Sequence, residues 1–253
     1  VIKTLFKILS NSEMTELQSS VLDCLEGVVL GAEEDIDIYA EQIFPILHQA
    51  ASLPETSNTI IKSNAIEALG MLLRFAPMQL KNVFDSSIQL IISSGCTNDL
   101  SLRNSVMIAI GNIIFGRFDI LKNYKENIIQ LVDSFFEQNL FEENLDEKFD
   151  EEEDFISEPI SWIGLTNVLR LMKYIFKSYP ELAPDDISRW IEEITCLSEV
   201  QYSEIQITAI SAGLYSVLYT KIPDKYLESV HNLLRWKLAK APHLPDSNHD
   251  MHD

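Results

Sequence analysis

Apolar side chains recur at intervals of three and four along most of this chain, the period of amphipathic helices, and no convincing run alternates at the period of two that marks a strand. The pattern also repeats itself. Ile61-Lys62-Ser63-Asn64-Ala65-Ile66-Glu67-Ala68-Leu69-Gly70-Met71-Leu72-Leu73 is matched 41 positions later by Leu102-Arg103-Asn104-Ser105-Val106-Met107-Ile108-Ala109-Ile110-Gly111-Asn112-Ile113-Ile114, with apolar, basic, small and glycine positions in register. Weaker copies lie on both sides. Leu17, Val21, Cys24, Leu25 and Val28 stand 44 positions before Ile61, Ala65, Ala68, Leu69 and Leu72, and Ile205, Ala209, Ala212 and Gly213 stand 144 positions after their counterparts. Another copy, Ile163 to Ile175, starts 61 positions after Leu102, about 20 more than the repeat requires. The surplus coincides with an acidic segment at 139–157.

A repeat of about 40 residues built from two helices stacks into a solenoid whose units bury their apolar faces on their neighbours. The expected fold is therefore all-α, a right-handed α-solenoid of antiparallel helix pairs. The pattern predicts pairs at 1–9 and 14–30, 36–52 and 58–75, 78–93 and 100–116, 119–138 and 159–179, 185–197 and 202–219, then one capping helix at 224–240. Ala65, Ala68 and Gly70, with Ala109 and Gly111, should keep their helices slim enough for close approach, while Leu69, Leu72, Ile110 and Ile113 fill the space between layers. In 36–52 the stripe is Ile36, Tyr39, Ile43, Leu47 and Ala50, with Pro45 inside the helix as a source of bending. The helical array spans 1–240 and a disordered tail 241–253. Val1, Ile2, Leu5, Phe6, Ile8 and Leu9 form an apolar face with nothing ahead to cover it, so the expectation is the C-terminal part of a longer array.

Charge narrows the choice of partners. Lys and Arg number 19 against 39 Asp and Glu, a net charge of -20, and the pI is about 4.5. Such a chain repels a phosphate backbone, so direct nucleic-acid binding is not expected. Cys24, Cys96 and Cys196 are odd in number, far apart and outside any C-x-x-C, which reads as small helix residues in a reducing compartment. The most apolar stretch, 205–219, is too short to span a bilayer. Cytoplasm and nucleus are the expected locations. No Walker loop, dinucleotide fingerprint, H-E-x-x-H or G-x-S-x-G occurs. His243, His249 and His252 lie among aspartates in the tail, where nothing would hold ligands in geometry. Neither an enzyme nor a metal or other cofactor is expected.

The acidic segment is the strongest local departure from the pattern. Asp150, Glu151, Glu152, Glu153 and Asp154 stand in a row between Phe149 and Phe155. Repulsion and hydration predict a loop, and closely spaced like charges predict an electrostatic lure for Lys- and Arg-rich segments, with the two phenylalanines adding apolar contact. A solvated, tolerated insertion is the plainer alternative. Arg170, Lys173 and Lys177, on the helix that follows, read as a solvated face.

Pro45 within a first helix, and the apolar-basic-x-x-small-x-x-small-apolar-Gly run at Ile61 to Gly70 and Leu102 to Gly111, resemble HEAT repeats. That family often sets an aspartate before the basic residue. Asp99 is so placed for Arg103, whereas Lys62 has only Glu55 nearby. Within the superfamily, Ile61 to Gly70 and the helix from Trp162 to Pro180 are most similar to the C-terminal region of importin-beta-type karyopherins, the branch of importins four and five. The resemblance implies a nuclear transport receptor that carries basic protein cargo through the nuclear pore. It further implies contacts with Phe-Gly nucleoporins and with the GTPase Ran, the latter mainly through N-terminal repeats. A HEAT scaffold of a phosphatase, chromatin or cytoskeletal complex is the alternative.

Overall fold

A computed structural model describes residue 8, residues 15–32, 36–54, 58–75, 81–137 and 160–198, and residues 212 and 231. The described residues form an all-α fold without a strand. The helices are α1 (Thr15–Ala32), α2 (Asp37–Ala51), α3 (Thr59–Phe75), α4 (Lys81–Ser94), α5 (Leu100–Leu121), α6 (Lys125–Glu137), α7 (Ile160–Ser178) and α8 (Ser188–Ser198). Short 3-10 turns precede α6, at Lys122–Tyr124, and α8, at Pro180–Leu182. The helices expected at 1–9, 202–219 and 224–240, the acidic segment and the tail lie outside the described residues, apart from Ile8, Ala212 and His231.

Local chemistry sets several boundaries. The Asn58 side chain accepts the Ile61 amide at 3.2 Å, and Asp99 accepts the Leu102 amide at 2.9 Å, so α3 and α5 each begin on a side chain that satisfies an otherwise orphaned donor. Asp186 accepts the Ser188 amide at 2.9 Å at the start of α8. Pro45 lies inside α2 on its exposed side, as its missing donor requires. The break expected between 116 and 119 is not a loop. Arg117 alone leaves helical geometry (φ -139, ψ 44), and the chain bends there by 111°.

Packing joins the helices into two rows. In one, α1, α3, α5 and α7 lie side by side, each against the next, and α2 covers α3. Glu67 meets Ser105, Gly70 meets Ala109, and Gly116 meets Arg74, so sequence numbers rise together and α3 and α5 run parallel. Ala65, Ala68, Val106 and Ala109 are fully buried, as the repeat predicts. In the other row, Tyr124, ahead of α6, donates its hydroxyl to Asp85 of α4 at 2.9 Å, and the Trp190 indole of α8 donates to Asp133 of α6 at 2.9 Å.

The chain separation of these cross-links records the insertion. It is 41 for Asn64 with Asp23 and 38 for Ser105 with Glu67, then 63 for Asn167 with Asn104. The second row makes the same jump, from 39 for Tyr124 with Asp85 to 57 for Trp190 with Asp133. Helix-to-helix neighbours are thus conserved across the acidic segment in both rows.

Three expectations change. Gly111 has nothing near the position of an added Cβ, so it does not serve close approach as Gly70 does; Gly116 takes that role against Arg74. Tyr39 is exposed, and the buried stripe of α2 is Ile36, Ala40, Ile43, Phe44, Leu47 and Ala51. The cysteines are free thiols, but all three are exposed rather than part of the core.

Candidate functional site

Asp23, Asn64 and Ser105 occupy successive positions 41 residues apart, and the parallel packing of α1, α3 and α5 sets these repeat-locked polar residues along one line. Asn64 Nδ2 donates to Ser19 Oγ at 2.9 Å and to Asp23 Oδ1 at 2.6 Å, joining α3 to α1. Ser105 donates its hydroxyl to the Glu67 carboxylate, joining α5 to α3. Asn167 Nδ2 donates to Asn104 Oδ1 at 2.6 Å, joining α7 to α5, and Arg170 Nη1 donates to Asn167 Oδ1 at 3.3 Å. A polar seam therefore crosses α1, α3, α5 and α7.

Near α1 and α3 the seam is acidic. Burial raises the pKa of Glu26 above the usual carboxylate value, and the charge of Asp23 raises it further. Burial also raises Glu67; the Ser105 hydroxyl opposes the rise, while Glu26 and Asp23 add to it. Glu26 and Glu67 are therefore both harder to ionise, chiefly through burial, with nearby carboxylate charge adding to the effect.

Beside Glu67 a groove of about 330 Å³ lies between the N-terminal halves of α3 and α5. Its walls include Ser63, Asn64, Glu67, Asp99 and Asn104, and Ile60 stands at its side as the most exposed large apolar side chain among the described residues. Ser63 is buried and its hydroxyl has no hydrogen-bond partner among the described residues. Acceptors outnumber cations here. The chemistry on offer is recognition of a positively charged, hydrogen-bond-donating group together with a short apolar contact at Ile60.

Among the described residues no three His, Cys, Asp or Glu side chains are grouped to hold a metal ion. His48 lies against Phe44, with ring centroids 5.6 Å apart, and His231 is exposed. No single described helix is long and apolar enough to cross a membrane.

Phe149, Asp150, Glu151, Glu152, Glu153, Asp154 and Phe155, the partner-binding candidates read from the sequence, lie outside the described residues. Arg170 and Lys177 are exposed and Lys173 half-buried on α7. The residues that the fold does assemble, Asp23, Glu26, Asn64 and Glu67, were missed by a search for charge runs. Their signal was subtler: Asp23 and Asn64, like Glu26 and Glu67, are 41 positions apart. Compared with known proteins, the chain matches no family model, and no curated protein is similar to it.

Proposed function

We propose that this chain is a protein-binding helical repeat of the HEAT type, a right-handed α-solenoid, and that its α1–α3–α5–α7 row receives Lys- or Arg-bearing segments of other proteins. The observation that carries this reading is the convergence of Asp23, Glu26 and Glu67 beside an open groove. The raised proton affinities of Glu26 and Glu67 mean that the seam gains from a positive charge, and a bound ammonium or guanidinium supplies one that persists at neutral pH. The similar chain separations of the α1–α3 and α3–α5 cross-links, 41 and 38, support the repeat, since each unit contributes one rung to the surface.

Fluorescence anisotropy with a Lys- and Arg-rich peptide tests the proposal. Combining Asp23→Asn, Glu26→Gln and Glu67→Gln removes the charge but retains similar shapes. The expected result is weaker binding, with the largest loss at low salt. Equal affinity in the variant and wild type would overturn the assignment of the seam.

The finer reading is a nuclear transport receptor that carries basic cargo. It is supported by the likeness of Ile61 to Gly70 to second helices of importin-beta-type karyopherins, and by the similar placement of the helix from Trp162 to Pro180. Its test is binding of a Phe-Gly repeat peptide, which a chromatin, phosphatase or cytoskeletal scaffold has no need to recognise.

A further inference from the structure

Ile60, Ser63, Asn64 and Glu67 follow one another at helical spacing and form a single stripe along the first turns of α3. All four line the groove of about 330 Å³ between α3 and α5, and no Lys, Arg or His is among the described residues lining it. Ser63 is 5% exposed, and its hydroxyl has no hydrogen-bond partner among the described residues. A buried hydroxyl in that state costs free energy, which a donor entering the groove can recover.

The stripe offers three separate acceptors. Both hydrogen bonds of the Asn64 side chain use Nδ2, to Ser19 and Asp23 of α1, so the amide cannot turn over without losing them and its Oδ1 is left as an acceptor. Ser105 holds Oε1 of Glu67, which leaves Oε2. Ser63 Oγ is the third. On the opposite wall Asp99 gives Oδ1 to the Leu102 amide. Neither carboxylate of the groove therefore presents a free pair of oxygens, the arrangement that a planar guanidinium grips with two parallel N–H bonds. A primary ammonium needs no such pair, because its three N–H groups point apart and take one acceptor each. The positive half-charges at the starts of α3 and α5 oppose any cation, and the Asp99 carboxylate offsets the one on its own helix. Ile60, 63% exposed, stands about 4.5 Å along the helix axis before Ser63 and about 10 Å before Glu67. It supplies apolar surface for a hydrocarbon stem whose charged end lies deeper in the groove.

We propose that this groove selects lysine over arginine, seating the ammonium on Ser63 Oγ, Asn64 Oδ1 and Glu67 Oε2 with the four-carbon stem along Ile60. The proposal rests on the reading of the α1–α3–α5–α7 row as a receiver of basic segments, and adds which basic side chain it takes. Glu67 attracts either cation by charge. Ser63 is the specificity-determining residue: it stands one helical turn from Glu67, with Cβ atoms about 5–6 Å apart, a spacing that suits diverging donors and not a parallel fork.

The test is fluorescence anisotropy on the full chain with three peptides of equal charge. One is Lys-rich, the second has every lysine replaced by arginine, and the third has every lysine trimethylated, which keeps the charge and removes the N–H donors. The lysine peptide should bind about tenfold or more tighter than either of the others, the loss expected for one charge-assisted hydrogen bond. Ser63→Ala should abolish most of that preference while leaving the arginine peptide unaffected. Its melting temperature should equal or exceed that of the wild type, since the substitution deletes a buried hydroxyl without a described partner. Equal affinity for the lysine and arginine peptides, with both lost on combining Asp23→Asn, Glu26→Gln and Glu67→Gln, overturns the selectivity and leaves the seam as a general receiver of basic segments. Failure of all three peptides to bind overturns both readings. A lysine preference that survives Ser63→Ala, or a trimethylated peptide that binds as tightly as the unmodified one, overturns the assignment of these acceptors.

Discussion

Gly70 and Ala109 bring α3 and α5 together backbone to backbone: a Cβ added to Gly70 would lie 2.5 Å from the Ala109 Cα. No side-chain rotation relieves such a clash, because the obstacle is main chain. Gly70→Ala should therefore destabilise the protein by about 1–3 kcal/mol, as overpacking does, despite the better helix propensity of alanine. Gly111→Ala is the internal control. It meets nothing within 4 Å and should stabilise by up to about 1 kcal/mol. Urea unfolding of both variants checks the pair, and equal shifts would mean that α3 and α5 do not approach as described.

Glu67 provides a pH test. Its pKa in the fold is raised above the unfolded value near 4.5, so the folded state prefers the protonated form. The stabilisation that protonation supplies is fully present below the unfolded value and is lost as pH rises through the folded one. Glu67→Gln should accordingly be more stable than wild type at neutral pH, with the difference shrinking towards acid. Melting temperatures between pH 4 and pH 7.5 measure this, and a variant less stable than wild type at neutral pH would contradict it.

Trp190 is 1% exposed, edge-on to Phe176 at 5.8 Å between centroids, and hydrogen-bonded to Asp133. It pins α8 to α6 and α7 at once. Trp190→Ala should cost about 3–5 kcal/mol. Trp190→Phe should cost less, since it preserves most apolar contact and loses chiefly the indole donor to Asp133. Chemical denaturation followed by circular dichroism ranks the two; an unchanged midpoint for the alanine variant would show that α8 does not depend on this anchor.

Replacing Asp150, Glu151, Glu152, Glu153 and Asp154 by their amides tests the acidic segment separately from the seam. If the run attracts basic peptides, association slows markedly, and the effect fades with added salt because the Debye length is about 8 Å at physiological ionic strength. Melting temperature should barely change. Surface-immobilised kinetics at low and physiological salt give the answer, and equal association rates would assign peptide capture to the helices alone.

The sequence made the helices legible because their apolar residues recur with helical period and because the 41-residue offset aligned Ala65 with Val106 and Ala68 with Ala109 as buried positions. It could not separate Gly70 from Gly111. Both occupy the same repeat position, but only Gly70 meets a backbone, and that depends on which flank of the helix has a neighbour. Tyr39 and Cys24 were misplaced for the same reason: periodicity assigns a side chain to a face without saying how far that face is covered. For Arg103, the aspartate four residues earlier offered an obvious partner. Asp99 instead caps α5, and Arg103 reaches Ser134 and Phe135, 31 and 32 residues later, a destination fixed by packing and invisible in local spacing. The seam was encoded by Asp23, Asn64 and Ser105, but in so acidic a chain the eye goes to the densest charge.

The side-chain hydrogen bonds described above between helices join residues at most 63 positions apart, including those that step over the acidic segment. Mechanical load entering at one end would therefore meet a series of local fastenings among the described helices. Under tension the helices should peel away in succession, producing a staircase of small rips in a single-molecule trace, and the rip that releases α7 from α5 should free a longer length of chain than the one that releases α5 from α3.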